Sequence, residues 1–182
     1  IAGQTQTHPV GEATIPANAL DHYLHNGDTA FHWEIKNTYD VSGTKVYDLL
    51  LVSQQWRGIT WVHQLSVLVP EINNHDGALL LHAGEPIEDG QPAWVGMYDD
   101  RLQKAAAIAT KNKAIVAVLR EVPDQPLLGG LTEDALISYT LHRFTQDGDY
   151  TWPLLFPMVK SAVRAMDAIQ QQVVHGLRGI GA

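Results

Sequence analysis

Two serine–histidine pairs have a spacing that could support nucleophilic chemistry. Ser138 and His142 are four residues apart on a predicted helix over 132–145, so their side chains share one face. Ser53 and His63 lie on neighbouring predicted strands. A serine nucleophile needs an exposed, activated position and an oxyanion hole, and neither spacing fixes a third catalytic member. We interpret Ser138 and His142 as solvated or capping residues, and we predict no catalytic role for Ser53 and His63.

Metal chemistry is the second option, because the chain has nine histidines. His22 and His25 could share a face of a short predicted helix, but zinc needs three or four ligands and the other histidines are scattered. The Asp147-Gly148-Asp149 segment lacks the later ligands of an EF-hand and fits a solvated turn. There is no cysteine, which excludes disulfides and thiolate sites. We predict neither a metal site nor a cofactor.

The length and composition are those of one globular domain with a negative net charge. The 182 residues contain 12 basic and 20 acidic side chains, so the net charge is 12 − 20 = −8, which disfavours binding to nucleic acid and to anionic membranes. Apolar runs such as Ala114–Leu119 are far shorter than the roughly 20 residues that span a bilayer. The chain begins at Ile1, so we expect that a leader was removed or that this is an internal piece.

The elements that would position these residues begin with an antiparallel meander. Residues 1–15 are expected to form a flexible arm, and residues 16–26 a short helix. Alternating apolar residues predict strands over 31–35, 45–56 and 61–69, with Ser42-Gly43 as a hairpin turn.

The second half alternates strands and helices. Apolar runs at 77–82 and 114–119 predict strands, the first of the kind buried on both faces. Helices are predicted over 101–110 and 132–145 and from Pro157. A last strand is predicted at Val173-Val174, ended by Gly176. This order indicates an α/β fold, in which an antiparallel meander leads into a mostly parallel sheet with flanking helices.

The predicted last strand would lack a covering helix. We therefore expect residues 16–182 to form a partial domain that lacks its C-terminal half. Its sheet edge would pair with a complementary chain or with the remainder of the same protein.

A series of ordered motifs resembles one known family. The motifs are Leu20-Asp21-His22-Tyr23, Phe31-His32-Trp33-Glu34, Val52-Ser53-Gln54-Gln55-Trp56-Arg57, Trp61-Val62-His63-Gln64-Leu65, Val122-Pro123-Asp124-Gln125-Pro126-Leu127, Glu133–Thr140, Trp152-Pro153-Leu154 and Pro157–Asp167. They resemble motifs of the PhoPQ-activated pathogenicity-related proteins, a family that includes an autocrine proliferation repressor. The similarity as a whole runs over about residues 19–174. The resemblance implies an α/β-hydrolase-like fold in a longer, exported protein, located outside the cell or in the periplasm.

The resemblance also implies where catalytic residues should lie. In the family, the strand after the last matched helix leads into a Gly-x-Ser-Lys-Arg-Gly turn, whose serine would be the nucleophile. Here the corresponding residues are Gly176, Leu177, Arg178 and Gly179, an elbow-like turn without a nucleophile. The acid and the histidine of a triad follow the serine in chain order. No catalytic residue is therefore assigned within this chain.

One loop is a candidate for the oxyanion hole. In α/β-hydrolases the loop after the third sheet strand offers a backbone N–H to that hole, and Gly84 and Glu85 follow the predicted strand over 77–82. A plain tight turn is the alternative. Two functions remain open: a serine hydrolase of esterase or peptidase type whose Ser, Asp and His lie outside this chain, or a non-catalytic extracellular binding or signalling protein on the same scaffold.

Overall fold

The computed structural model describes residues 15–178, which form a sheet with helices on both of its faces. The helices are α1 (Ala19–Leu24), α2 (Asp100–Asn112), α3 (Glu133–Asp147) and α4 (Leu155–Arg178). The strands are β1 (His32–Val41), β2 (Thr44–Trp56), β3 (Ile59–Pro70), β4 (Ala78–His82), β5 (Ile87–Glu88), β6 (Gln91–Pro92) and β7 (Ile115–Leu119). The predicted arm falls, apart from Ile15, outside the described residues.

Within the described part of the chain, the main sheet has the strand order β1-β2-β3-β7-β4. The predicted meander of β1, β2 and β3 is confirmed, and Ser42 and Gly43 make the hairpin turn with φ of 47° and 80°. β7 inserts between β3 and β4, antiparallel to β3 and parallel to β4. The sheet described here is therefore mostly antiparallel, and its parallel portion is the β4–β7 pair.

Alternate residues of β7 supply the cores on the two faces of the sheet. Val116 and Val118 pack with the alanine-rich face of α2, whereas Ile115, Ala117 and Leu119 pack with α4. Because β7 is central and covered on both sides, all five of its residues are buried. The layered α/β class predicted from the sequence is confirmed.

The prediction that the 77–82 strand is buried on both faces is wrong. β4 is the edge strand next to β7, and Ala78, Leu79 and His82 are exposed. A short apolar run has the same composition in a central strand and in an edge strand. Only the pairing order distinguishes the two.

The strand predicted at Val173-Val174 is also wrong, because α4 continues as helix to Arg178. In the sequence, Val173 follows Met166 and Ile169 at spacings of three and four residues, which an amphipathic helix also has. Gly176, Leu177 and Arg178 are accordingly helical and do not form the elbow-like turn, and Gly179 lies outside the described residues. The expectation of an uncovered strand at this point loses its basis.

Candidate functional site

The two parallel strands β4 and β7 end side by side, and the loops that follow them meet at this edge of the sheet. Ala83 N–H donates to Leu119 O at 2.9 Å, and Val122 N–H donates to Ala83 O at 3.2 Å. Ile87 N–H donates to Gln125 O at 2.6 Å. The carboxyl ends of parallel strands are where ligands bind in α/β sheets. The candidate loop with Gly84 and Glu85 is therefore held at such a place.

A buried guanidinium anchors this loop. The Arg120 side chain is fully buried, and its Nη1 contacts both Glu85 carboxylate oxygens at 2.8 and 2.9 Å. Its Nη2 donates to Asp99 Oδ1 at 2.6 Å, and Asp99 also caps α2 by accepting from Leu102 N–H. Arg101 binds the same Glu85 carboxylate from the surface. Glu85 thus acts as an anchor that ties its loop to β7 and α2.

Two further carboxyl groups are buried beside Arg120. Burial raises the pKa of Glu121 to about 8, and the nearby Glu85 carboxylate adds to this shift. Glu121 Oε2 accepts from Gln64 N–H at 2.8 Å, while Oε1 has no hydrogen-bond partner within residues 15–178. Burial also raises the pKa of Asp124 to about 6, although its carboxylate accepts from Val62 N–H. Glu121 is therefore largely protonated at neutral pH.

Sequence reasoning did not identify this charged cluster. The available signal was Arg120-Glu121, a charged pair placed directly after the wholly apolar strand β7. Charges at the carboxyl end of a buried parallel strand lie at the edge where ligands bind, and they need partners when they are buried.

Gly84 itself is exposed and lies between the hydrogen-bonded residues of the loop. A Cβ atom at this position would lie 3.5 Å from Val122 O and 3.5 Å from Glu133 Oε1, which are ordinary contacts. The backbone therefore tolerates a small side chain here. The adjacent Glu133 carboxylate opposes the build-up of negative charge, so the oxyanion role of Gly84 and Glu85 stays a prediction.

The structure brings Ser53 and His63 together, as their strands suggested. Ser53 Oγ lies 2.9 Å from His63 Nε2 and 3.0 Å from Ser161 Oγ, and Gln54 Nε2 donates to Ser161 Oγ at 3.2 Å. Tyr23 OH closes the network by donating to Gln54 Oε1 at 2.8 Å. Ser53, His63 and Ser161 are completely buried, so no substrate reaches this serine.

The protonation state of His63 supports a structural role. Its Nδ1 lies 3.0 Å from the carbonyl oxygens of Arg120 and Glu121, which can only accept, so Nδ1 carries the proton. Nε2 then accepts from the Ser53 hydroxyl. Burial lowers the pKa of His63 to about 4, so the ring is neutral at physiological pH. The pair joins β2, β3 and α4 through hydrogen bonds.

The other candidates do not form sites in the described residues. His142 Nε2 pairs with Gln146 Nε2, and Ser138 is exposed on the same helix. His25 is exposed and bonds to Asp21 O.

The carboxylates of the Asp147-Gly148-Asp149 segment also accept hydrogen bonds from other residues of the protein. Asp147 accepts from the Trp152 indole, and Asp149 accepts from Arg57 and Thr151. Burial acts to raise the pKa of Asp149, but the hydrogen bonds from Thr151 and Arg57 outweigh it and hold that pKa below its ordinary value. The prediction of a solvated turn is therefore only partly correct, because the carboxylates of this segment have protein partners.

Residues 15–178 contain neither a metal-binding cluster nor a membrane-spanning helix. No group of three or more His, Asp and Glu side chains there could hold a metal ion. None of the helices in that range has the length and apolarity that a membrane span requires.

The fold is similar to that of two solved structures. It matches a protein from Bacteroides fragilis assigned as an acetyl xylan esterase with a TM-score of 0.51, at 13% identity, over 85% of this chain and 41% of that one. Acetyl xylan esterase 1 from a Thermoanaerobacterium species matches with a TM-score of 0.46, at 19% identity, over 85% of this chain and 46% of its own. The fold is α/β-hydrolase-like, as the sequence resemblance implied.

The family follows from the sequence itself. A model of the PhoPQ-activated pathogenicity-related proteins matches residues 20–178, so the chain belongs to this family. Autocrine proliferation repressor protein A of Dictyostelium discoideum is 26% identical over 171 residues, which cover 87% of this chain and 33% of that protein. The chain therefore spans about a third of this relative.

Proposed function

We propose that this chain is part of an exported serine hydrolase, of esterase or peptidase type, whose Ser, Asp and His lie outside residues 15–178. They would come from a complementary chain or from the remainder of the same protein. The observation that carries the proposal is the fixed loop at the carboxyl ends of β4 and β7. Arg120, Glu85 and three backbone hydrogen bonds hold the loop of the exposed Gly84. The oxyanion role proposed for this loop is supported by its place after a parallel strand, as in α/β-hydrolases.

Labelling with a serine-directed fluorophosphonate tests this proposal. Residues 1–182 alone should stay unlabelled, because Ser53, Ser66 and Ser161 are buried. The exposed Ser42 donates to Gln103 Oε1, and the exposed Ser138 is not bonded to His142, which pairs with Gln146, so neither serine is activated by a histidine. The native protein should be labelled at a serine outside residues 15–178. Stoichiometric labelling of a serine within this range, or a native protein that is never labelled, would contradict the proposal.

The role of Gly84 can be separated from that of the scaffold. Gly84→Pro removes the backbone N–H, and loss of one oxyanion donor costs roughly 10²–10³ in rate. Gly84→Ala keeps the N–H and meets only ordinary contacts, so it is the matched control. We expect the labelling rate of the native protein to fall with proline and to persist with alanine. Equal labelling rates in the two variants would show that the Gly84 N–H has no part in the mechanism.

A second function is a non-catalytic extracellular binding or signalling protein. It is supported by the relative that is named an autocrine proliferation repressor. A native protein that resists the fluorophosphonate probe and still represses proliferation when added to cells would favour it.

A further inference from the structure

We propose that Trp94 and Tyr98 form an aromatic platform that binds the arginine side chain of a polypeptide substrate, beside the loop of Gly84. This assignment rests on the proposed function, because it gives a substrate class to the same edge of the sheet. The arginine would belong to the residue whose carbonyl group the loop of Gly84 receives.

The buried Arg120 guanidinium places the platform next to the candidate oxyanion loop. Its Nη1 bonds to Glu85, the neighbour of Gly84 in the chain, and its Nη2 donates to Asp99, the neighbour of Tyr98. Two loops that bind the two ends of one guanidinium group lie side by side. The aromatic segment is therefore at the carboxyl ends of β4 and β7, where ligands bind in α/β sheets.

The segment 94–98 is held in place by its own hydrogen bonds. Val95 N–H donates to Gln64 Oε1 at 2.9 Å, and Gln64 Nε2 donates to Val95 O at 2.8 Å. At the end of the segment, Asp99 N–H donates to Gly96 O at 3.0 Å. A surface that is fixed before its ligand arrives loses little conformational entropy on binding. The platform is thus suited to recognition.

The two rings present surface to solvent. Tyr98 is 90% exposed and Trp94 is 39% exposed. Within residues 15–178, neither ring takes part in an aromatic pair or in a cation–π contact, in contrast to Trp152, which has both. A ring face of tyrosine or tryptophan attracts a cation through its quadrupole. The platform can therefore receive a cationic group from a ligand.

The charge around the platform favours a cation over an anion. Residues 84–101 contain five carboxylates and one basic side chain, a net charge of 1 − 5 = −4, which is half of the −8 of the whole chain. Two of these carboxylates bond to Arg120. The other three, Glu88, Asp89 and Asp100, are exposed and have no ion-pair partner in the described part of the chain. Their field attracts a cationic group and repels a carboxylate or a phosphate.

The apolar surface between the rings favours an arginine side chain over a small free cation. Met97 is 39% exposed and lies in the same segment as the two rings. A long basic side chain packs its methylene stem on apolar surface while its charged end stays in a polar environment. The planar guanidinium also stacks on aromatic faces and is more weakly hydrated than an ammonium group. Stem, plane and charge are thus all matched by the platform.

Calorimetric titration of the protein purified at its native length tests the proposal. The probes are acetyl-arginine methylamide and acetyl-citrulline methylamide, which have nearly the same shape and differ in charge. We expect the arginine probe to bind about tenfold more tightly, as a cation between two rings and several carboxylates should. The difference should shrink as salt is added, because exposed carboxylates are screened. Equal affinities of the two probes at low salt would overturn the proposal.

A variant pair separates the rings from the general negative charge of the surface. Trp94→Leu combined with Tyr98→Leu removes both ring faces and keeps apolar side chains, whereas Trp94→Phe combined with Tyr98→Phe retains a ring at each position. We expect the preference for the arginine probe to fall to about twofold with leucine and to persist with phenylalanine. Tyr98→Leu alone, at a 90% exposed position, should leave the fold intact and reduce the preference in part. An undiminished preference in the leucine variants would overturn the platform.

These titrations measure binding without turnover, so they are independent of the fluorophosphonate result. A protein that shows the ring-dependent preference but is never labelled would contradict the proposed hydrolase and retain the arginine site. A protein that is labelled but binds both probes equally would retain the hydrolase and contradict the site.

Discussion

Glu121 is the residue whose burial has the clearest measurable consequence. Its pKa is about 8 in the folded protein, against an ordinary value of 4.5. Between these values the folded state binds more protons than the unfolded state, so the free energy of unfolding falls as the pH rises. His63 acts in the opposite direction, but between its folded pKa of about 4 and its ordinary value of 6.5. Asp124 acts in the same direction as Glu121, but below its own folded pKa of about 6. The pH range from about 6.5 to 8 therefore reports chiefly on Glu121.

We expect Glu121→Gln to abolish this loss of stability. The amide oxygen can still accept from Gln64 N–H, and no charge has to be buried at high pH. Urea denaturation at pH 6.5 and pH 8.5 should show that the free energy of unfolding falls by about 2 kcal/mol for the natural protein and stays nearly constant for the variant. A parallel fall in both proteins would show that another group titrates.

Ser53 provides a second prediction at this scale. Ser53→Ala removes the donor to His63 Nε2 and leaves a buried nitrogen without a partner, which costs about 1–3 kcal/mol. The exposed Ser138→Ala is the matched control and should change stability by no more than about 0.5 kcal/mol. Thermal and chemical unfolding measure both values. Similar effects of the two substitutions would contradict the network.

At the level of residues, the sequence predicts proximity better than it predicts accessibility. Neighbouring strands placed Ser53 near His63, because consecutive antiparallel strands pair locally. Their complete burial depends on α4, whose Ser161 contacts Ser53 although it lies about a hundred residues later in the chain. The contact of Arg120 with Glu85 and Asp99 is equally non-local, so its partners could not be deduced from spacing.

Among the elements, α4 is fixed to the start of the sheet by one buried ammonium group. Lys160 Nζ donates to Asn26 Oδ1 at 2.9 Å and lies 3.2 Å from Asp28 Oδ2, with its side chain 1% exposed. Burial acts to raise the pKa of Asp28, but N–H donors from Ala30 and Gln55 and the Lys160 ammonium hold it below its ordinary value. These contacts join the helix to the segment between α1 and β1.

We expect Lys160→Met to cost about 3–5 kcal/mol, because it leaves the Asp28 carboxylate without its buried partner. The control is Lys36→Met, which removes an exposed ion pair with Glu34 and should cost about 0–1 kcal/mol. The midpoints of chemical denaturation compare the two variants. A cost for Lys160→Met as small as that of the control would show that the pair is not important for stability.

Elements with a strong local period were predictable, and those that depend on pairing were not. The alternation in β1 and β3 and the helix ending at Gly148, whose φ is 69°, follow from side-chain direction and backbone sterics. Val173 and Val174 favour strands by propensity, yet they lie within the long helix α4. Intrinsic propensity is weak and is often overridden by the context of a residue.

For the whole molecule, the layer order was predictable, but the strand orientation of the sheet was not. A chain that alternates strands and helices must cover both faces of its sheet, and α2 and α4 do so. The antiparallel β3–β7 contact requires β7 to enter between β3 and β4, and no local pattern encodes that choice.

The outer strand β1 carries the charged residues Glu34, Lys36 and Asp40, whereas the other outer strand, β4, carries none. This difference predicts how residues 1–182 behave when they are produced alone. We expect self-association through β4, which should show as species larger than a monomer in analytical ultracentrifugation. Leu79→Lys should reduce this association, because it places a charge on the unprotected edge. Ile35→Lys on β1 is a control of nearly equal exposure, 47% against 46%, and should have little effect. A monomeric natural chain with a cooperative thermal transition would contradict this prediction.

The cluster of aromatic rings at one end of the sheet gives this protein an internal optical probe. The rings of Trp56 and Trp61 are 5.9 Å apart and those of Trp56 and Trp152 are 6.2 Å apart, both in edge-to-face geometry. The Arg57 guanidinium lies 3.9 Å from the Trp152 ring centre, which holds that ring in a fixed electrostatic field. Near-ultraviolet circular dichroism and tryptophan emission should therefore report on the packing of α3 and the start of α4 against β2 and β3. Unfolding of this region can thus be followed by these two spectroscopic signals. The core on the α2 side of the sheet contains no tryptophan among its described residues, so its unfolding is not reported in the same way.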